Sequence, residues 1–113
     1  MTDRQTALAC AGAVAALLVS GVAVGADVAA GRAKALMCQA CHGMDGLSKV
    51  PEAPSIAGQT ESYLAAQLQA FRAGTRKNET MNVVTSTLSD ADVANLAAYF
   101  SAIEIKVVKV PGE

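Results

Sequence analysis

Three side chains within the stretch LMCQACHG, Leu36 to Gly43, are able to hold a cofactor: Cys38, Cys41 and His42, the single histidine of the 113-residue chain. Two thiols two residues apart, with an imidazole directly after the second, suit four kinds of chemistry. A zinc site needs about four Cys, His or carboxylate ligands, more than one His and two nearby Cys supply. A thioredoxin-like dithiol shares the spacing but sits beside a strand in a mixed fold, and no strand pattern adjoins it here. A structural disulfide suits an exported protein, yet it leaves His42 without a task. Covalent haem uses all three residues: the thiols add to the two vinyl groups on one edge of a porphyrin, and the following His is then placed under the iron.

Haem iron has a second axial position, and no second His exists to fill it. The candidates are Met37, Met44 and Met81. Met37 and Met44 flank the cysteine motif on the His42 side, so reaching the opposite face would take the chain through the porphyrin plane. Met81 lies far enough along to come round the other face, on what reads as an irregular run from Asn78 just before the last helix. The competing reading of Met81 is a core methionine in a helix.

The elements that must position these residues are short. The uncharged run Thr6 to Ala26 is dominated by Ala, Val and Gly and ends in small residues ahead of Asp27. This pattern is that of a cleaved signal peptide over residues 1–26; the alternative is an uncleaved membrane anchor. Cys10 falls too early in the run to mark its end. The 52% apolar content owes much to this segment, and the formal net charge of −1 leaves no basic stripe for nucleic acid and no long charged tail. The remaining domain, residues 27–113, has only Tyr63, Phe71, Tyr99 and Phe100 as aromatics, which is little for a self-sufficient core. Two remaining cysteines cannot form a disulfide framework, so a cofactor is expected to fill the centre.

Within that domain, Asp27 to Gly43 reads as a short helix running into the cysteine motif, with Gly43 as its stop. Met44 to Gln59, rich in Gly, Ser and Pro, reads as a loop. Thr60 is placed to cap the next helix, whose Leu64, Leu68 and Phe71 recur at helical spacing and whose end is Gly74. Thr75 to Thr87 leaves room for a turn or two of helix. Ser89 and Asp92 form a capping-box pattern ahead of a final helix with Val93, Leu96, Ala97, Phe100 and Ile103 on one face. In the tail, Ile105, Val107 and Val108 suit a short extended segment packed on the domain. Loops this long in a small helical protein suggest that they wrap something.

The blocks AGRAKALMCQACHGMDG, APSIAGQ and YLAAQLQAFRAGTR, then Met81 followed by LSDADVANLAAYF, resemble the class I c-type cytochromes, among them the small bacterial c-553 and c-4 type. The resemblance covers nearly all of residues 27–113. It implies an all-α class I cytochrome c fold, with three to four short helices and long loops wrapped around one haem c bound through Cys38 and Cys41. It also implies that the Pro54 carbonyl accepts the His42 ring N–H, a bond that orients the ligand and raises its basicity. The resemblance further implies that the first and last helices cross, with Gly31 allowing close approach and Tyr99 packing over it; the alternative for Gly31 is mere surface permissiveness. Gln59, Tyr63 and Arg76 become candidates for the haem propionates; each is equally readable as a solvated polar residue, and for Arg76, in the TRKN charge cluster, the solvated reading is the better one. The c-4 pattern has two haem motifs; this chain has one and resembles half of such a protein.

A six-coordinate His42/Met81 haem has no open position for substrate, so the expected function is one-electron transfer at a fairly high potential rather than catalysis. The expected partners are redox proteins, such as a dehydrogenase, a cytochrome complex or a terminal oxidase, met in the periplasm by a monomer or by a subunit of a redox complex. Membrane attachment, facing the periplasm, follows only from an uncleaved leader. Two alternatives remain: a haem subunit fixed in a larger dehydrogenase, and a gas-binding or sensing domain in which Met81 does not hold the iron.

Overall fold

The computed structural model describes residue 12 and residues 25–113, so the expected leader lies almost wholly outside the described residues. Helix α1, Val28–Lys34, begins at Asp27, whose carboxylate accepts the Ala29 and Ala30 backbone N–H groups. It passes through a 3-10 turn, Ala35–Met37, into the single turn of α2, Gln39–His42. Gly43, at φ 72°, ends it as expected. After a loop come α3, Glu61–Ala73, α4, Glu79–Thr85, and α5, Asp90–Ser101. No strand occurs among the described residues, and none of their helices is long and apolar enough to cross a membrane.

The frame is the crossing of α1 and α5. A Cβ built on buried Gly31 would overlap the Asn95 carbonyl oxygen and lie 2.9 Å from Tyr99 Cβ, so only glycine lets the two backbones meet at this distance. The crossing is pinned at its edges. The Asp27 backbone N–H donates to Asn95 Oδ1 at 2.8 Å, and Lys34 pairs with Asp92 at 3.2 Å. Tyr99 does pack over Gly31, and its hydroxyl donates to the Met44 carbonyl at 2.6 Å, joining α5 to the chain just past the cysteine motif.

Helix α3 starts at Thr60, whose side chain makes no capping bond, and ends at Gly74 in the left-handed region with φ 76°. Arg72 ties it to the start of α5, donating to the Leu88 carbonyl at 3.0 Å and pairing with Asp90. The Ser89–Asp92 capping box is present with both bonds formed. The buried cluster is small: Ala35, Leu64, Leu88, Val93, Leu96, Ala97 and Phe100. These side chains come from α1's extension, α3, α5 and, for Leu88, the turn that leads into α5, and they leave one side of the domain to a cavity.

Two expectations are corrected here. Met81 does not lie on an irregular run: Asn78 caps α4, and Met81 is its third residue. The sequence ETMNVVT has three β-branched residues in a row and weak helix propensity, so the helix depends on bonds that propensity does not report. The tail does not pack as an extended segment. Ile105 touches Gly58, but Val107 and Val108 are 72% and 90% exposed.

Candidate haem-binding site

The site is built from the cysteine turn outward. Cys38 caps α2 and Cys41 lies three residues on, so both thiols leave the helix on one face. Both are half-buried and both line a cavity of about 680 Å³. Burial pushes the Cys38 thiol up to about 11. A redox dithiol works through a thiolate of lowered pKa in a polar or cationic setting, so Cys38 is poorly placed for disulfide exchange.

His42 follows directly and is 7% exposed. Its Nδ1 lies 2.9 Å from the Pro54 carbonyl oxygen. With the proton on Nδ1 donated to that carbonyl, Nε2 is the nitrogen left for a ligand. Pro54 reaches this position because the loop folds back on itself. The Gly46 carbonyl accepts from Ile56 N–H at 2.7 Å and Ala57 N–H at 3.0 Å, and Lys49 N–H donates to the Cys41 carbonyl at 2.8 Å. Gly46 has φ 68°, and a Cβ there would sit 2.8 Å from Ala57 N. Ser48 N–H donates to Ser55 Oγ at 2.9 Å, beside Pro54.

The remaining walls are mostly apolar, with Ile56, Leu64, Leu68, Phe71, Leu96 and Phe100 among them. Met81 lines the cavity from α4 and is half-buried. Met37 also lines it, next to Cys38, and is 42% exposed; Met44 instead packs against the core. Gln59, Tyr63 and Arg76 all border the cavity. Arg76 is not simply solvated: its guanidinium stacks 4.5 Å from the Phe71 ring centroid and donates to Gln67 Oε1 at 2.7 Å.

These residues fit a haem. The cavity falls within the size range of cofactor pockets, roughly 300–1,000 Å³, and its walls are apolar for the larger part. Its donor set consists of two thiols on one helical face, an imidazole with one nitrogen committed, and a thioether. No buried side-chain polar atom among the described residues lacks a hydrogen-bond partner, so the walls are complete without a further polar ligand.

Sequence reasoning missed the polar residues that hold the Met81 wall. Asn82 donates from Nδ2 to the carbonyls of Phe71 and Arg76, and Thr85, fully buried, donates to the Met81 carbonyl at 2.7 Å. The one legible signal was Asn78 three residues before Met81, a capping spacing.

Comparison with known proteins agrees with this geometry. Residues 28–104 match the cytochrome c family. Cytochrome c4 of Pseudomonas aeruginosa is 46% identical over 81 residues, covering 72% of this chain and 40% of that protein. A thiosulfate dehydrogenase electron acceptor of Thiomonas intermedia is 42% identical over 94 residues, covering 81% of this chain and 43% of that protein. The crystal structure of reduced recombinant cytochrome c4 from Pseudomonas stutzeri superposes with a TM-score of 0.65 at 42% identity, covering 69% of this chain and 46% of that one. The chain therefore spans less than half the length of these relatives.

Proposed function

The chain belongs to the cytochrome c family, with the class I fold and a CXXCH motif at Cys38, Cys41 and His42 for covalently bound haem c, and from that premise we propose that it is a periplasmic one-electron carrier. When bound, the haem supplies a one-electron couple whose potential is set by its axial ligands and the polarity around it. Cys38 and Cys41 hold it through thioethers. His42 binds the iron through Nε2, and Pro54 keeps the ring in the required tautomer and orientation. Met81 would hold the iron through its thioether sulfur. Met37 borders the cavity too, but its place beside Cys38 on the same stretch as His42 keeps it from the far face.

The observation that carries this reading is that His42, with Nδ1 engaged by Pro54, and Met81 line one apolar cavity from separate helices. With His42 and Met81 both committed to the iron, no axial position would be left open to a substrate, which suits one-electron exchange. A neutral thioether and apolar walls disfavour the extra charge of ferric iron, which raises the potential. Leu36 and Met37, 56% and 42% exposed beside Cys38, leave the attachment edge accessible. Docking there is small and short-lived, as suits a shuttle. Residues 1–26 act as a cleaved signal, consistent with haem attachment outside the cytoplasmic membrane.

The name of the Thiomonas relative favours a second reading, in which this domain receives electrons from a dehydrogenase as its dedicated partner. Both readings rest on the same ligation, which is tested by the visible spectrum of the oxidised holoprotein and of Met81→Ala. The native protein is expected to show the weak far-red sulfur-to-iron band and the variant to lose it. A native protein without the band removes Met81 from the iron and turns the search to gas binding.

A further inference from the structure

Met81 lies in the first turn of a seven-residue helix, and a helix that short does not hold itself in water. Few apolar contacts secure α4: its only fully buried residue is Thr85, and Val83 is 71% exposed. The hold is polar and runs through the residue after Met81. Asn82 Nδ2 donates to the Phe71 carbonyl at 2.7 Å and to the Arg76 carbonyl at 2.9 Å, while its Oδ1 accepts the Asn78 backbone N–H at 2.9 Å. One amide thus bonds the end of α3, the connecting turn and the N-cap of α4, using three of its four hydrogen-bonding positions. The chain of contacts ends on Met81 itself. Asn78 Oδ1 accepts the Met81 N–H at 2.9 Å, and Thr85 Oγ1 donates to the Met81 carbonyl.

We infer that Asn82 is a positioning residue for the Met81 sulfur: its amide locks α4 in register against α3 and thereby sets how firmly Met81 holds the iron. The inference rests on the reading of Met81 as axial ligand. Without Asn82 the Phe71 and Arg76 carbonyls find water, but α4 loses its tether and the state with the sulfur off the iron gains population. An external ligand that competes for the iron reports that population directly.

The test is imidazole binding to the ferric holoprotein, compared among the native protein, Asn82→Ala and Arg72→Ala. Arg72 ties α3 to a different segment, through Leu88 and Asp90, and does not border the cavity. Asn82→Ala is expected to bind imidazole at least tenfold more tightly, about 1.4 kcal/mol, with a weakened far-red band. Arg72→Ala is expected to lower Tm while keeping imidazole affinity within about twofold. Equal loss of Tm in both variants with unchanged imidazole affinity overturns the inference. If Asn82→Ala does not mature, Asn82→Ser, with one donor in place of two, is expected to give an intermediate gain, and unchanged affinity there overturns it equally. A native protein that lacks the band and binds imidazole as tightly as Met81→Ala does would remove the ligand reading, and the role of Asn82 with it.

Discussion

His42 and Met81 border the same cavity but are held by different kinds of structure. Behind His42 stand the glycine-dependent crossing of α1 and α5, the Tyr99 bond to Met44, and a loop closed on the Gly46 carbonyl that delivers Pro54. Behind Met81 stands one short helix, with only Thr85 fully buried, tied by Asn78, Asn82 and Thr85 to backbone atoms. The first region depends on close packing, which tolerates little change in volume. The second depends on a few hydrogen bonds of about 1 kcal/mol each, which open locally at small cost. The difference teaches that damage behind His42 should be read as lost folding, and damage behind Met81, on the proposed ligation, as lost hold on the iron in a protein that still folds.

Replacing Gly31 is the strongest way to test that contrast. Gly31→Val drives a side chain into the Asn95 carbonyl, and about 3 kcal/mol of stability should be lost. Chemical denaturation of the holoprotein measures it, and the far-red band of the molecules that remain folded should be unchanged. A Gly31→Val protein of native stability would show that the crossing is not the frame. Asn78→Ala comes next. Loss of this cap should cost about 1 kcal/mol, yet it should lower the pH at which the far-red band disappears, since the Met81 N–H loses its partner. A stability loss with no change in the band would erase the distinction between the two regions.

The smallest effect concerns acid. The Ser89 backbone N–H, and after it Lys34, hold the Asp92 carboxyl below its ordinary value of 3.8. A carboxylate with a lowered folded-state pKa stabilises the fold above the unfolded value and loses that contribution as pH falls through the folded one. Asp92→Asn should therefore lower Tm slightly at pH 7, and the gap to the native protein should close below about pH 4. A gap that persists in acid would assign the effect to the amide's geometry rather than to charge.

Most of the His42 region was readable in the chain. Gly43, Gly74 and the Ser89–Asp92 pair mark element ends by local chemistry, and each acts where its residue type predicts. Gly31 was ambiguous, because a glycine needed for contact and one merely tolerated on a surface look alike in one dimension. The Met81 region was read less well. A helix over Glu79–Thr85 runs against the propensity of Val83, Val84 and Thr85, and it forms because Asn82 and Thr85 find partners on other segments. The tail failed for the opposite reason: Ile105, Val107 and Val108 have the composition of a packed strand, but among the described residues no neighbouring strand exists to pair with them.

By itself the sequence determined the chemistry: two thiols and an imidazole at fixed spacing, one distant thioether, too few aromatics for an unaided core, and helix ends set by caps within three or four residues. Those properties are local, so covalent geometry and short-range hydrogen bonds decide them. Tertiary structure decided which nitrogen of His42 is left for a ligand, that Gly31 has no room for a side chain, that Arg76 stacks on Phe71, and that Asn82 bonds the end of α3 to the start of α4. Each of these needs two segments far apart in the chain to meet at atomic distances, and contacts of that kind leave no periodicity or spacing to read.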